Sequence, residues 1–183
     1  MPGKRNNYIS FDTYFMMMAL MVRERSKDPK TQVGAVIVRD NRILGTGYNG
    51  TSKGITDDEM PWNSLGEANN DLMNIKNSFV VHAEANALDS IENKSSLKGS
   101  TMYVTLSPCP ECAKRIANSG IKNIIYFAPY KKEELVLVSN YILKKAGVTI
   151  EQYAGEAIWD VLERCQKKVF EEENLIRKLI PKN

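Results

Sequence analysis

The chain has 183 residues, 43% of them hydrophobic and 26% charged, with a formal net charge of +3 and a pI of about 8.7. That composition predicts a soluble globular protein with room for a sizeable core, and it is too mildly basic for the dense cationic stripe that nucleic acid demands, so nucleic acid is not an expected partner. Three cysteines leave no disulfide framework, which predicts a reducing, cytoplasmic compartment, and the longest early apolar run, residues 15–22, is too short to span a bilayer.

Residues 1–9 are polar and are expected to be disordered. Ser10 fits a helix N-cap, and Phe11, Phe15, Met18 and Val22 recur at helical spacing. The methionines of this run are expected in the core. The run stops at Asp28-Pro29, because proline disfavours helix in the residue before it. Gln32 to Val38 and Ile43 to Tyr48, joined by Arg39-Asp40-Asn41-Arg42, read as a hairpin of two strands. Polar and turn residues then dominate from Asn49 to Phe79. A loop of that length in a compact domain is usually functional or disordered, and residues 51–79 are read as a functional insert.

Residues 82–94 and 108–119 read as helices, with a strand at Thr101 to Leu106 between them and Gly120 as the C′ residue of the second. Ile121 to Ala128 is a strand, Glu133 to Ala146 a helix and Val148 to Tyr153 a fifth strand. The alternation predicts the α/β class: a three-layer α/β/α sandwich on a mixed five-stranded sheet, one domain over residues 1–183. An extra C-terminal helix is expected over 156–180. Ile158, Val161, Leu162, Cys165, Val169, Ile176 and Leu179 form a helical stripe there that either caps the core or meets another subunit.

The chemistry concentrates in His82-Ala83-Glu84 and Pro108-Cys109-Pro110-Glu111-Cys112. One imidazole and a Cys-x2-Cys pair are a zinc-ligand inventory, and it uses the only histidine in the chain. A closed structural site needs a fourth ligand, for which only Cys165, in the helical tail, remains as a thiol. Cys165 reads more simply as a buried or partly buried thiol. Three ligands, His82, Cys109 and Cys112, leave a coordination position open for water, which is the mark of a catalytic site. Both ligand segments read as first turns of helices, whose N-terminal dipoles favour thiolates. Glu84, near a helix start, reads as the proton shuttle. H-x-E followed by P-C-x-x-C is the signature of zinc nucleobase deaminases.

The sequence resembles the deoxycytidylate (dCMP) deaminase family, within the zinc-dependent cytidine and deoxycytidylate deaminases, over residues 5–153. The resemblance is carried by Tyr14-Phe15-Met16, Arg25-Ser26-Lys27-Asp28-Pro29, Gln32-Val33-Gly34-Ala35, Gly47-Tyr48-Asn49-Gly50, Asp57-Asp58 and Pro61-Trp62, together with the zinc motif. It implies hydrolysis of dCMP to dUMP and ammonia, supplying dUMP for dTMP synthesis, with one Zn2+ per chain and Glu84 moving protons. It also implies substrate contacts from Asn49, Ala83, Ser107 and Tyr130. Arg25, Ser26 and Lys27, at the end of the first helix, are the nearest candidates to meet the phosphate. A homo-hexamer activated by dCTP with Mg2+ and inhibited by dTTP is implied, with Tyr48, Gly50, Lys53, Asp57 and Asp58 as effector residues. Three alternatives stay open at this point: a tRNA adenosine deaminase, another cytidine-type deaminase, and a nonenzymatic protein of deaminase ancestry.

Overall fold

The computed structural model describes residues 3–64 and 71–179, the side chains of 176–179 excepted. Residues 1–2, residues 65–70 of the insert, residues 180–183 and the side chains of Ile176 and Leu179 therefore lie outside the described residues. The described chain divides into two compact units, residues 15–153 and residues 1–14 with 154–183.

The larger unit is built on a five-stranded sheet. A hairpin of β1 (Gly34–Arg39) and β2 (Arg42–Tyr48) is followed by β5 (Thr101–Leu106), β6 (Asn123–Ala128) and β7 (Thr149–Gln152), in the order β2-β1-β5-β6-β7. β1 is antiparallel to both β2 and β5, whereas β5, β6 and β7 run parallel, so the sheet is mixed as expected. Asp40 and Asn41 turn the hairpin with φ of 52° and 57°, a left-handed conformation that short polar side chains tolerate. β3 (Gly50–Thr51) and β4 (Val80–Val81) pair with each other and close the insert at its neck.

Helices cover both faces of this sheet. On one face lies α1 (Phe11–Arg23), where Phe15 sits against Tyr103 of β5 with ring centroids 5.3 Å apart. Ser10 caps α1 as expected, its Oγ accepting from Thr13 N at 3.1 Å. The buried stripe is Phe15, Met16 and Ala19, and Met16 alone of the methionine cluster is fully buried. Phe11 is 56% exposed and Met21 also faces outward, which corrects the expected stripe by part of a turn. On the opposite face α2 (Ala83–Asp89), α3 (Pro110–Ala117) and α4 (Glu133–Lys145) bury Ala83, Ala87, Ala113, Ile116 and Leu143 against Ile37, Met102, Val104 and Ile124. Both motif helices are shorter than their sequence patterns: α2 gives way to a separate 3-10 turn, Lys94–Leu97, that Asn93 caps, and α3 ends at Ala117 with Gly120 turning the chain at φ +92°.

The smaller unit holds α5 (Ile158–Leu179) and residues 3–14. Ser10 N donates to Glu156 Oε1, and Glu156 N donates to Thr13 Oγ1. Trp159, Val169, Phe170 and Leu175 are exposed on α5, and so is Cys165, contrary to its expected burial. No helix among the described residues is long and apolar enough to cross a membrane.

The approach of α2 to β2 is set by Gly47. A Cβ there would lie 2.2 Å from Ala87 N and 2.4 Å from Ala83 O, both of them backbone atoms that cannot yield separately. Gly47→Ala is therefore expected to push α2 off the sheet and to cost about 1–3 kcal/mol or more. Thermal unfolding checks this, and an unchanged Tm would contradict the packing.

Candidate active site

Strand β4 delivers His82 to the start of α2, and β5 leads through Ser107 and Pro108 to Cys109 at the start of α3. The expectation placed these ligands in first turns. His82 and Cys109 are instead the N-cap residues of their helices, with extended backbones at φ −72°, ψ 154° and φ −75°, ψ 168°. Pro110 occupies the first helical position, where its missing N–H costs nothing, and Cys112 follows within the first turn. Behind this corner, Ser139 Oγ of α4 donates to Pro108 O at 2.7 Å and fixes the Cys loop to the core.

The ligand atoms converge. His82 Nδ1 lies 3.4 Å from the Sγ of Cys109 and 3.4 Å from that of Cys112, and all three atoms lie within 4.8 Å of one another. Zinc bonds of about 2.0–2.1 Å to nitrogen and about 2.3 Å to sulfur, set at a tetrahedral angle, call for N···S separations near 3.5 Å. The donor set fits a zinc ion and leaves a fourth position open. Between the two thiols, the bond from Cys112 holds Cys109 down at about 4, while that same bond and burial push Cys112 up. A dication would draw both into the thiolate form, since only the thiolate ligates. Cys165 stands outside the cluster.

Glu84, in the first turn of α2, is 5% exposed, and burial pushes its carboxyl up. With His82 and Cys109 it lines a cavity of about 500 Å³ that also takes in Asn49, Ala83, Ser107 and Tyr130. Of the substrate residues read from the sequence, these four are thus brought to one place. Ser107 Oγ accepts from Tyr130 N at 2.8 Å, which ties the loop after β6 to the Cys segment. Burial, first among several causes, raises the Tyr130 phenol, so it stays a neutral donor.

Arg25, Ser26 and Lys27 lie elsewhere. Arg25 and Lys27 border a second cavity of about 380 Å³ with Tyr48, Gly50, Asp57 and Asn86, and Lys27 is paired with Asp57. Ser26 Oγ donates to Asn49 O at 2.8 Å and serves the wall of the catalytic cavity. Lys53 and Asp58 border neither cavity. The cations that line the catalytic cavity are Lys30, Lys76, Lys131 and Lys132, none of which the motifs singled out. The charge pair Lys131-Lys132 directly after Tyr130 was the available signal.

Metal analysis is expected to find one zinc per chain, lost on replacing His82, Cys109 or Cys112 by alanine and retained in Cys165→Ser. Loss of metal from the Cys165 variant would mean a closed site.

Residues 9–128 match the family described as the cytidine and deoxycytidylate deaminase zinc-binding region. Deoxycytidylate deaminase from Mus musculus is 41% identical over 152 residues, covering 82% of this chain and 83% of the mouse protein. The Homo sapiens deoxycytidylate deaminase is 37% identical over 174 residues, 94% of this chain and 91% of the human one. Among solved structures, the dCMP deaminase of cyanophage S-TIM5 in complex with dCMP and dUMP aligns with a TM-score of 0.63 at 29% identity, over 82% of this chain and 100% of the phage chain. A chain so similar along most of its length, with the three donors and Glu84 gathered in one cavity, belongs to the zinc-binding cytidine and deoxycytidylate deaminase family of hydrolytic enzymes, on its deoxycytidylate deaminase branch.

Proposed function

We propose that this protein hydrolyses dCMP to dUMP and ammonia and so supplies dUMP for dTMP synthesis. The observation that carries the reading is the buried Glu84 carboxyl sharing a cavity with the His82, Cys109 and Cys112 donors. Zinc bound by those donors supplies a Lewis acid and lowers the pKa of water to near 7. The side chains do the rest. Glu84 takes a first proton from the attacking water and passes it to N3 of the cytosine ring as C4 becomes tetrahedral. It then takes the second from the new C4 hydroxyl and delivers it to the amino group, which departs as ammonia while C4–O becomes the carbonyl. Its burial suits this work, because a carboxyl whose affinity for protons is raised is a better acceptor for the proton of the water than an exposed one. Ala83 and Tyr130 shape the walls around the base.

The phosphate falls to Lys131 and Lys132 in this reading, since these border the catalytic cavity and Arg25 and Lys27 do not. The second cavity is read as an effector site. Arg25, Lys27 and Asp57 offer a triphosphate its counter-charges and a divalent cation an oxygen, which suits dCTP with Mg2+ and the competing dTTP. Asn86 there donates through Nδ2 to Tyr48 O at 2.8 Å and stands on the helix that carries Glu84. An effector binding one arrangement of that helix better than another would bias catalysis. A homo-hexamer is the assembly proposed, with the exposed Leu137, Val138 and Tyr141 of α4 as apolar surface for it. The cysteines are all free, in keeping with a cytoplasmic setting.

Glu84→Gln is expected to keep zinc and fold while turnover of dCMP falls by about 10²–10⁴. Near-normal turnover would remove Glu84 from the chemistry. Saturation with dCMP is expected to be sigmoidal and to become hyperbolic with dCTP, and Lys27→Ala is expected to abolish that response. Hyperbolic kinetics indifferent to both triphosphates would remove the effector site and leave the deaminase assignment standing.

A further inference from the structure

An ion pair that the mechanism does not use is buried in the catalytic wall. Lys76 comes from the insert and Asp28 from the segment before β1, 48 residues earlier, and they are 8% and 4% exposed. Lys76 Nζ donates to Asp28 Oδ1 at 2.7 Å and to Oδ2 at 2.6 Å. Asp28 Oδ1 also accepts from the backbone N of Lys30 and of Thr31, and Asn49 Nδ2 lies 3.4 Å from Oδ2. Burial pushes the Asp28 carboxyl up, yet these bonds, that of Lys76 foremost, outweigh it and hold the group below the ordinary carboxylate range. Asp28 is therefore charged at neutral pH and fully committed to its neighbours.

The network dictates which way the Asn49 amide faces. Its Nδ2 donates to Thr31 O at 2.8 Å and toward Asp28, while its Oδ1 accepts from Val33 N at 2.8 Å. A flipped amide would set an oxygen against a carboxylate and a carbonyl, and an N–H against Val33 N–H. With both amide hydrogens engaged, what Asn49 retains for the cavity is a lone pair on Oδ1. It can meet only a donor. A deoxycytidine nucleotide has two, the exocyclic amine and the sugar hydroxyl, and the amine must sit at Glu84.

We propose that Lys76 and Asp28 are positioning residues of the catalytic cavity, through which the insert locks the Asn49 amide so that Oδ1 receives the sugar 3′-hydroxyl. This rests on the dCMP reading for the identity of the donor, but the lock itself does not. A buried ion pair is a weak device for stability alone, because desolvation offsets its attraction. Its contribution here is orientation. The insert thereby forms part of the catalytic wall.

The test compares dCMP with 2′,3′-dideoxycytidine 5′-monophosphate, which lacks the hydroxyl, in the zinc-loaded wild type and in Lys76→Met, Lys76→Arg and Asp28→Asn. Wild type is expected to favour dCMP by roughly tenfold or more in kcat/KM. Lys76→Met and Asp28→Asn are expected to shrink that preference toward unity, mainly by raising KM for dCMP, and Lys76→Arg to restore most of it. A proportional loss on both substrates, with the preference intact, would overturn the proposal and leave the pair merely structural. Hydrogen exchange without substrate supplies a second measurement. Lys76→Met is expected to speed exchange of the backbone amides of Lys30, Thr31 and Val33 while α3 keeps its protection, and unchanged exchange at those three would also overturn it. A wild type inactive on dCMP, with that exchange pattern present, would sink the substrate reading but not the lock.

Discussion

Three donor atoms from distant parts of the chain must meet within 4.8 Å, and the rest of the larger unit is arranged around that demand. His82 and Cys109 cap two helices that lie on the same face of the sheet, so their separation is set by how closely those helices pack. Alanine makes the packing tight: Ala83, Ala87 and Ala113 are completely buried, and Gly47 lets β2 touch the backbone of α2. A larger residue at any of these positions would spread the corner before it disturbed the sheet. The parallel pair β5 and β6 then brings Ser107 and Tyr130 alongside, from neighbouring strand ends, where open α/β sheets place their ligands.

The cavity so formed separates two kinds of polar group. Glu84 is held by burial, which raises its affinity for protons. Asp28, Asn49 and Lys76, on the wall, are saturated with hydrogen bonds and thereby held still. Reactive groups need a tunable proton affinity, whereas groups that orient a substrate need a fixed geometry. Tyr48 and Gly50, the residues on either side of Asn49, line the second cavity.

Much of this was legible from local pattern. The β5 boundaries follow from an uninterrupted run of strand formers, and the hairpin from Asp40-Asn41 between two apolar stretches. The catalytic motif is compact in sequence, since Glu84 and Cys112 each lie within one turn of a ligand, so helix geometry alone brings them near. Other features depend on the path of loops. Arg25 and Lys27 look like phosphate ligands because of their charge, yet the turn after α1 points them at the second cavity. Lys76 reads as one more surface lysine of a polar insert, and nothing in its neighbours reveals a carboxylate 48 residues away. Periodicity likewise misjudged Phe11, which is 56% exposed at the first position of α1.

The most direct test of the account is ammonia release, in parallel and at matched zinc content, from dCMP, deoxycytidine, cytidine and tRNA. A cavity lined by Glu84 together with Lys131 and Lys132 predicts release from dCMP, exceeding deoxycytidine by roughly tenfold or more in kcat/KM because charge-assisted bonds to the phosphate are lost in the nucleoside. Equal rates on dCMP and deoxycytidine, or release from tRNA with none from dCMP, would contradict it.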